Sequence, residues 1–90
     1  MARKNQFPVA DANGMEQNID RPEGVLIRNF SPVSANLALC QKACRDDTQC
    51  EAWTYVKPNT VQGASPNCLL KDDGGGRAYP NEYCVSGLVK

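Results

Sequence analysis

The 90-residue sequence contains no histidine. Histidine is the usual general base of enzymes and the commonest transition-metal ligand, so its absence argues against a Ser-His-Asp triad and against a histidine-bound metal. Ten Lys and Arg balance ten Asp and Glu without a basic block, which makes nucleic acid an unexpected partner. No apolar run approaches the roughly 20 residues of a membrane-spanning helix. We therefore expect a protein that is not an enzyme and has no cofactor, metal or membrane span.

What the sequence does contain is cysteine, five residues in a chain short enough for one domain. A chain of this length builds only a marginal core, and disulfides commonly supply the missing stability in oxidising compartments. We therefore expect a secreted, periplasmic or cell-surface protein. The alternative of a cytosolic chain with reduced, metal-binding cysteines is disfavoured, because Cys40-x3-Cys44-x5-Cys50 lacks the paired Cys-x2-Cys spacing of zinc sites.

The composition changes near residue 14. Residues 1–13 are polar and are predicted to be a tail or linker without the apolar stretch of a secretory signal, so an exported native protein would be represented here by a mature or excised piece. Residues 14–90 are predicted to form the domain. The expected elements are strands at 15–19, 25–30, 50–57, 68–71 and 83–89, with a helix from 35 to about 45 after the second strand. Strands arranged around one helix indicate an α+β domain with an antiparallel sheet.

The predicted helix has one inward stripe, formed by Leu37, Cys40 and Cys44 at positions i, i+3 and i+7. Ser34 is the expected N-cap, and polar residues such as Gln41 are expected to face water. Two thiols therefore lie on one helical face, and a third thiol opens the strand that follows, which predicts a helix joined to a sheet by disulfides.

Three kinds of connection are expected between these elements. Residues 21–24, Arg-Pro-Glu-Gly, are predicted to form a turn between the first two strands. Residues 58–67, with two prolines, are predicted to be a long connection and not a tight hairpin. The acidic pairs at 46–47 and 72–73 lack the alternating ligand spacing of a calcium loop, so we interpret them as solvated turns.

Two aromatic residues, Trp53 and Tyr55, alternate on one face of the third predicted strand. The favoured interpretation is that Trp53 packs under the helix, and the alternative is a platform on which a ligand stacks. Tyr55 is harder to assign because its hydroxyl requires a polar partner or the surface.

The order of these features resembles the PAN/apple domain family, particularly its bacterial members. The resemblance rests on the cysteine spacing followed by the strand Ala-Trp-Thr-Tyr-Val at 52–56, on Cys-Leu-Leu-Lys at 68–71 and on Cys-Val-Ser-Gly at 84–87. The stretch Asp-Arg-Pro-Glu-Gly at 20–24 is similar to the opening turn of that family. The resemblance covers roughly residues 14 to 90.

The family implies a five-stranded antiparallel sheet crossed by one helix, with two core disulfides. Carried onto this chain, the pairs are Cys40–Cys68 and Cys44–Cys50. The chain departs from the family at Cys84, because no cysteine precedes position 40 to form the additional bridge of plasma apple domains, and bacterial relatives often have two cysteines near the last strand. Cys84 is therefore expected to be a free thiol, either buried and inert, which we favour, or available for an intermolecular bond.

The family also implies a non-catalytic extracellular module that mediates protein–protein or protein–carbohydrate contacts within a larger protein. The alternative function is a self-associating structural subunit that uses the N-terminal tail or the free thiol to join protomers. Binding residues concentrate in loops on rigid scaffolds, so connections 58–67 and 72–82 are the expected ligand-binding regions. The candidate ligand-binding residues in or next to these connections are Tyr55, Lys57, Asn59, Gln62, Lys71 and Arg77.

Overall fold

A computed structural model of the chain describes residues 10–32, 36–60, 63–72 and 77–89. The elements in chain order are β1 (Glu16–Asp20), β2 (Leu26–Phe30), α1 (Leu37–Asp46), β3 (Ala52–Val56), β4 (Asn67–Lys71) and β5 (Tyr79–Leu88). The five strands form one antiparallel sheet with the order β1-β5-β3-β4-β2. The predicted α+β fold, with about five antiparallel strands and one helix, is confirmed.

The central strand β3 is buried along its whole length. A strand covered on one face alone would alternate between buried and exposed side chains. Here Trp53 and Tyr55 belong to the core cluster that includes the helix cysteines, while Thr54 and Val56, on the opposite face, are also buried. Both faces of the sheet are therefore covered, and we refer to them as the helix face and the rear face.

Helix α1 covers the helix face by packing on β3 and β4. It begins later than predicted, because the N-cap is Asn36. The Asn36 backbone is extended, and its side-chain Oδ1 accepts a hydrogen bond from the Ala38 N–H at 3.0 Å. The predicted N-cap Ser34 is therefore wrong, and it also lies outside the described residues. Gln41 does not face water as expected, since it is buried and donates through Nε2 to the carbonyl of Asn13 at 2.8 Å.

Two disulfides join the helix to the sheet. Cys40 is bonded to Cys68 on β4, with 5.5 Å between their Cα atoms, and Cys44 is bonded to Cys50 just before β3, with 5.1 Å between theirs. All four cysteines are fully buried. The pairing is the one that the family resemblance implies. It attaches the helix to β4 at Cys40 and to the segment just before β3 at Cys44.

The rear face is covered by residues 21–25, which we call the strap. Strands β1 and β2 lie at opposite edges of the sheet, roughly 19 Å apart at about 4.8 Å per strand spacing. Six residue steps of extended chain cover about 20 Å, so the strap crosses the sheet nearly fully extended. The predicted turn between two neighbouring strands is therefore wrong, although Gly24 does adopt a positive φ of 98°.

Side chains hold the strap at both ends. Arg21 forms a buried two-point ion pair with Glu16, with N–O distances of 2.7 and 2.8 Å. At the far end, the backbone of Val25 exchanges hydrogen bonds with the backbone and side chain of Asp72. Glu23 accepts from the Tyr79 hydroxyl at 3.0 Å. These contacts explain how the extended strap is held in a single conformation across the sheet.

The connection 58–67 contains a local bridge of its own. Thr60 and Gly63 form an antiparallel bridge, and the Asn59 N–H donates to the carbonyl of Ala64. Asn59 adopts a φ of 60°, a conformation that asparagine tolerates better than most residues. Residues 57–66 separate β3 from β4, so the prediction of a long connection in place of a tight hairpin is confirmed.

Candidate functional site

A pocket of about 290 Å³ lies between the strap and the rear face of the sheet. The pairing of β1 with β5 is irregular between Gln17 and Ile19, and residues of β5 that follow Pro80 form one wall of the space beneath the strap. We call this space the strap pocket. It is lined by Asp20, Pro22, Gly24 and Leu26 from the strap side, by Val56, Leu69 and Lys71 from the sheet, and by Asn81, Tyr83 and Cys84 from β5.

A chain of buried polar groups runs along the rear face beside this pocket. The Ser86 hydroxyl donates to the carbonyl of Ile19 at 2.8 Å, so the Thr54 hydroxyl, 2.8 Å from Ser86 Oγ, acts as donor to it. The Lys71 ammonium lies 3.4 Å from Thr54 Oγ1 and also donates to the carbonyl of Arg21. These bonds connect four strands with the strap and satisfy polar groups that would be costly to bury unpaired.

The free thiol Cys84 forms part of the pocket wall and is only 4% exposed. Burial raises the pKa of the Cys84 thiol to about 11. The Asp20 carboxylate acts in the same direction, whereas the ammonium groups of Lys71 and Lys57 oppose it. A thiol with this pKa is almost entirely protonated at neutral pH, and the thiolate is the reactive form.

We therefore expect Cys84 to react slowly with alkylating reagents in the folded protein. The rise in pKa from 9.0 to about 11 lowers the thiolate fraction at pH 8 by about 100-fold. The rate of iodoacetamide labelling, followed by mass spectrometry, should be at least about 100-fold lower than in denaturant. Labelling of the folded chain within a factor of ten of the unfolded rate would contradict this assignment.

A second, more open groove of about 670 Å³ lies on the helix face between α1 and β2. Its walls carry the exposed ion pair between Lys42 and Asp46, and the Arg28 guanidinium over the ring of Phe30 at 4.6 Å. Its described charged residues are not buried. The strap pocket, with the buried Lys71 in its wall, is therefore the stronger candidate for a specific site.

The structure separates the sequence-predicted ligand residues. Tyr55 is 3% exposed within the core, and burial raises the pKa of its hydroxyl. Its assignment as a surface ligand residue is wrong, because the helix covers that face of β3. Lys71 ends β4, next to a connection as predicted, but it is only 4% exposed and lines the strap pocket.

The remaining candidates do not form one cluster. Lys57 is half-buried and its ammonium donates to the carbonyl of Glu82 at 2.8 Å. Asn59 and Arg77 are exposed on separate connections, and Gln62 lies outside the described residues. Neither Lys57, Asn59 nor Arg77 lines the strap pocket, and the assignment of all four candidates to ligand binding stays a prediction.

Sequence reasoning missed Asp20, Asn81 and Tyr83. Asp20 was part of the stretch taken as an opening turn. Asn81 lies in connection 72–82, which was predicted to bind a ligand, but it was not named, and Tyr83 was assigned only to the last predicted strand. The available signal was Pro80 and Asn81 inside a run of strand-forming residues, because proline within a strand points to an edge or a bulge. Within the described ranges, no set of three His, Cys, Asp or Glu residues could hold a metal ion, and no helix is long and apolar enough to cross a membrane.

Comparison with known proteins agrees with this architecture. Residues 19–71, more than half of the chain, match the family described as the PAN domain. No curated protein and no solved structure shows significant similarity to the chain. PAN domains are generally non-catalytic binding modules. With its five-stranded sheet, single helix and two disulfides, the chain belongs to the PAN domain family.

Proposed function

We propose that this chain is an extracellular binding module that mediates protein–protein or protein–carbohydrate contacts within a larger secreted, periplasmic or surface protein. The two disulfides support an oxidising compartment. The mechanism is display of a preformed surface on a rigid scaffold, and the proposed domain comprises residues 14–90 with residues 1–13 as a linker.

One observation favours the strap side as the binding surface. The large apolar side chains exposed in the described part of the chain are Val25, Leu26, Tyr79, Tyr83 and Leu88. Four of the five belong to the strap, line its pocket or bond to it. Exposed apolar groups concentrated on one side mark interaction surfaces more often than scattered ones do, and tyrosine is enriched among residues that dominate binding.

The test compares two variants on opposite faces in a glycan array and in binding assays with purified surface components of the host. A double variant Tyr79→Ala and Tyr83→Ala removes aromatic area on the strap side. Lys42→Ala, on the helix face, is the matched control. We expect the strap-side variant to lose at least about tenfold in affinity for any ligand found, with the control unchanged. Binding lost in the control but kept in the strap-side variant would refute this assignment.

The alternative function is a self-associating subunit that joins protomers through Cys84 or through the N-terminal tail, and the burial of Cys84 disfavours the first of these. A disulfide between folded protomers through Cys84 requires an accessible sulfur, and this residue is 4% exposed. The other route uses the N-terminal tail, of which residues 1–9 lie outside the described part of the chain. Sedimentation of the pure protein over a range of concentrations tests this alternative directly.

A further inference from the structure

The ammonium group of Lys71 is buried without an ion-pair partner among the described residues. The ion pairs found there are Arg21–Glu16 and Lys42–Asp46. Burial lowers the pKa of Lys71, and the Asp20 carboxylate only partly offsets this effect. A buried charge is costly unless a group of opposite charge accompanies it. A lysine kept in this position therefore suggests that an anion completes its surroundings.

The hydrogen bonds of Lys71 point to the same conclusion. An ammonium group has three donors, and two of them have partners in the described residues, the carbonyl of Arg21 and Thr54 Oγ1. Lys71 is also one of the residues that line the strap pocket. The third donor is thus available to an acceptor that enters this space.

The charged side chains that line the pocket are Lys71 and Asp20. No ion pair joins the two among the described residues. The neighbouring Arg21 is already neutralised by its bond to Glu16. A ligand that complements both side chains has an anionic group for the ammonium of Lys71 and hydrogen-bond donors for the carboxylate of Asp20.

The volume of the strap pocket and the other side chains that line it restrict the kind of ligand further. The volume of about 290 Å³ is at the lower end of ligand pockets, which suits one ring. The Asp20 carboxylate only accepts hydrogen bonds when ionised, so the ligand needs donors such as hydroxyl groups. Asn81 offers both donors and acceptors, and the Tyr83 ring, 38% exposed, offers an apolar face.

We propose that the strap pocket binds an acidic sugar residue, a pyranose ring that carries a carboxylate. The carboxylate meets the ammonium of Lys71, hydroxyl groups donate to Asp20 and Asn81, and one face of the ring packs on Tyr83. An acidic protein side chain fits less well, because it has the carboxylate but no donors for Asp20. The inference rests on the proposed binding function and specifies the ligand of that surface.

The test is a titration of the folded protein, isotope-labelled for NMR, with D-glucuronate as the acidic sugar. D-glucose presents a similar ring without the charge, and N-acetylglutamate presents the carboxylate without the ring. We expect glucuronate to shift the resonances of residues around the pocket and to bind at least about tenfold more tightly than either comparison ligand. Glucose loses the charged hydrogen bond to Lys71, and N-acetylglutamate loses the ring hydroxyl groups that donate to Asp20 and Asn81. Equal binding of glucose, or tighter binding of N-acetylglutamate, would overturn the proposal.

Variants test the residues involved. Lys71→Met keeps most of the side-chain volume but removes the charge, and should weaken glucuronate binding at least about tenfold. Lys42→Met on the helix face is the matched control and should bind as the unchanged protein does. Tyr83→Ala alters the rim without touching the buried polar chain, so it tests the site even if Lys71→Met does not fold. Unchanged glucuronate binding in folded Lys71→Met or in Tyr83→Ala refutes the pocket assignment.

The two proposals fail in different ways. If glucuronate does not bind but the strap-side tyrosine variant still loses a ligand in the face comparison, the binding module stands and the acidic-sugar inference is wrong. If no ligand is found that binds either face, the proposed function itself is wrong.

Discussion

Replacing Gly87 with alanine is expected to lower the free energy of unfolding by about 3 kcal/mol. A Cβ atom at this position would lie 2.6 Å from Nε1 and 2.7 Å from two carbon atoms of the Trp53 indole. Gly87 is paired with Trp53 across β5 and β3, so the ring lies against the glycine backbone. Trp53 is fully buried and cannot move aside without opening the core. Urea unfolding followed by Trp53 fluorescence measures the loss.

A double-mutant cycle separates this collision from a general effect on strand β5. Trp53→Phe removes the indole atoms that the new methyl group would meet, at the cost of some packing. In the Trp53→Phe background we expect Gly87→Ala to lower the free energy of unfolding by less than about 1 kcal/mol. The difference between the two backgrounds is the coupling energy of the two residues, and residues in contact show coupling energies of this order. An equal penalty for Gly87→Ala in both backgrounds would show that the indole is not the cause. Circular dichroism can follow the cycle in all four proteins.

Removing the Cys40–Cys68 disulfide is expected to destabilise the fold more than removing Cys44–Cys50. The first bridge closes a loop between residues 28 positions apart, and the second joins residues six positions apart. On the loop-entropy account, the first contributes about 3.5 kcal/mol and the second about 2.4 kcal/mol. Each pair is replaced by two alanines, and thermal unfolding is measured under oxidising conditions.

Each pair serves as the control for the other, because all four cysteines are fully buried and the same number of sulfur atoms is lost. Most of the packing cost therefore cancels when the stability losses of the two alanine variants are compared. The remaining difference reports the effect of loop length. A larger loss from the Cys44–Cys50 pair would mean that fixing the end of the helix matters more than the entropy of the long loop. The two alanine pairs should also differ in urea dependence, since the longer open loop exposes more surface.

The helix, the strands near the cysteines and the partners of the disulfides were accessible from the sequence. The stripe of Leu37, Cys40 and Cys44 shows the helical period directly, and Trp53 and Tyr55 show the period of a strand. The N-cap was missed because Ser34 and Asn36 are both good capping residues, and sequence alone does not decide between them. Gln41 was misassigned because its partner, the carbonyl of Asn13, is distant in the chain.

The strap pocket was mostly not predictable. Lys71 was named for its position beside a loop, but the structure shows it buried in the pocket wall. Asp20, Asn81 and Tyr83 meet only because β1 and β2 lie at opposite edges of the sheet and the β1–β5 register shifts between Gln17 and Ile19. Tyr55 was named because its hydroxyl requires a polar partner or the surface, whereas the structure buries it beside Trp53 in the core beneath the helix.

The amino-acid sequence by itself determined the local periods and the sulfur spacing, and through them the helix, the neighbouring strands and the family. Only the tertiary structure decided the order of the strands, the path of residues 21–25 and the pocket beneath them. The physical reason is that helical and strand periodicity depends on residues close together in the sequence, whereas strand order depends on backbone hydrogen bonds between distant segments. Asp20 and Asn81 line the same pocket because the strand order brings them together, and no local sequence pattern predicts this.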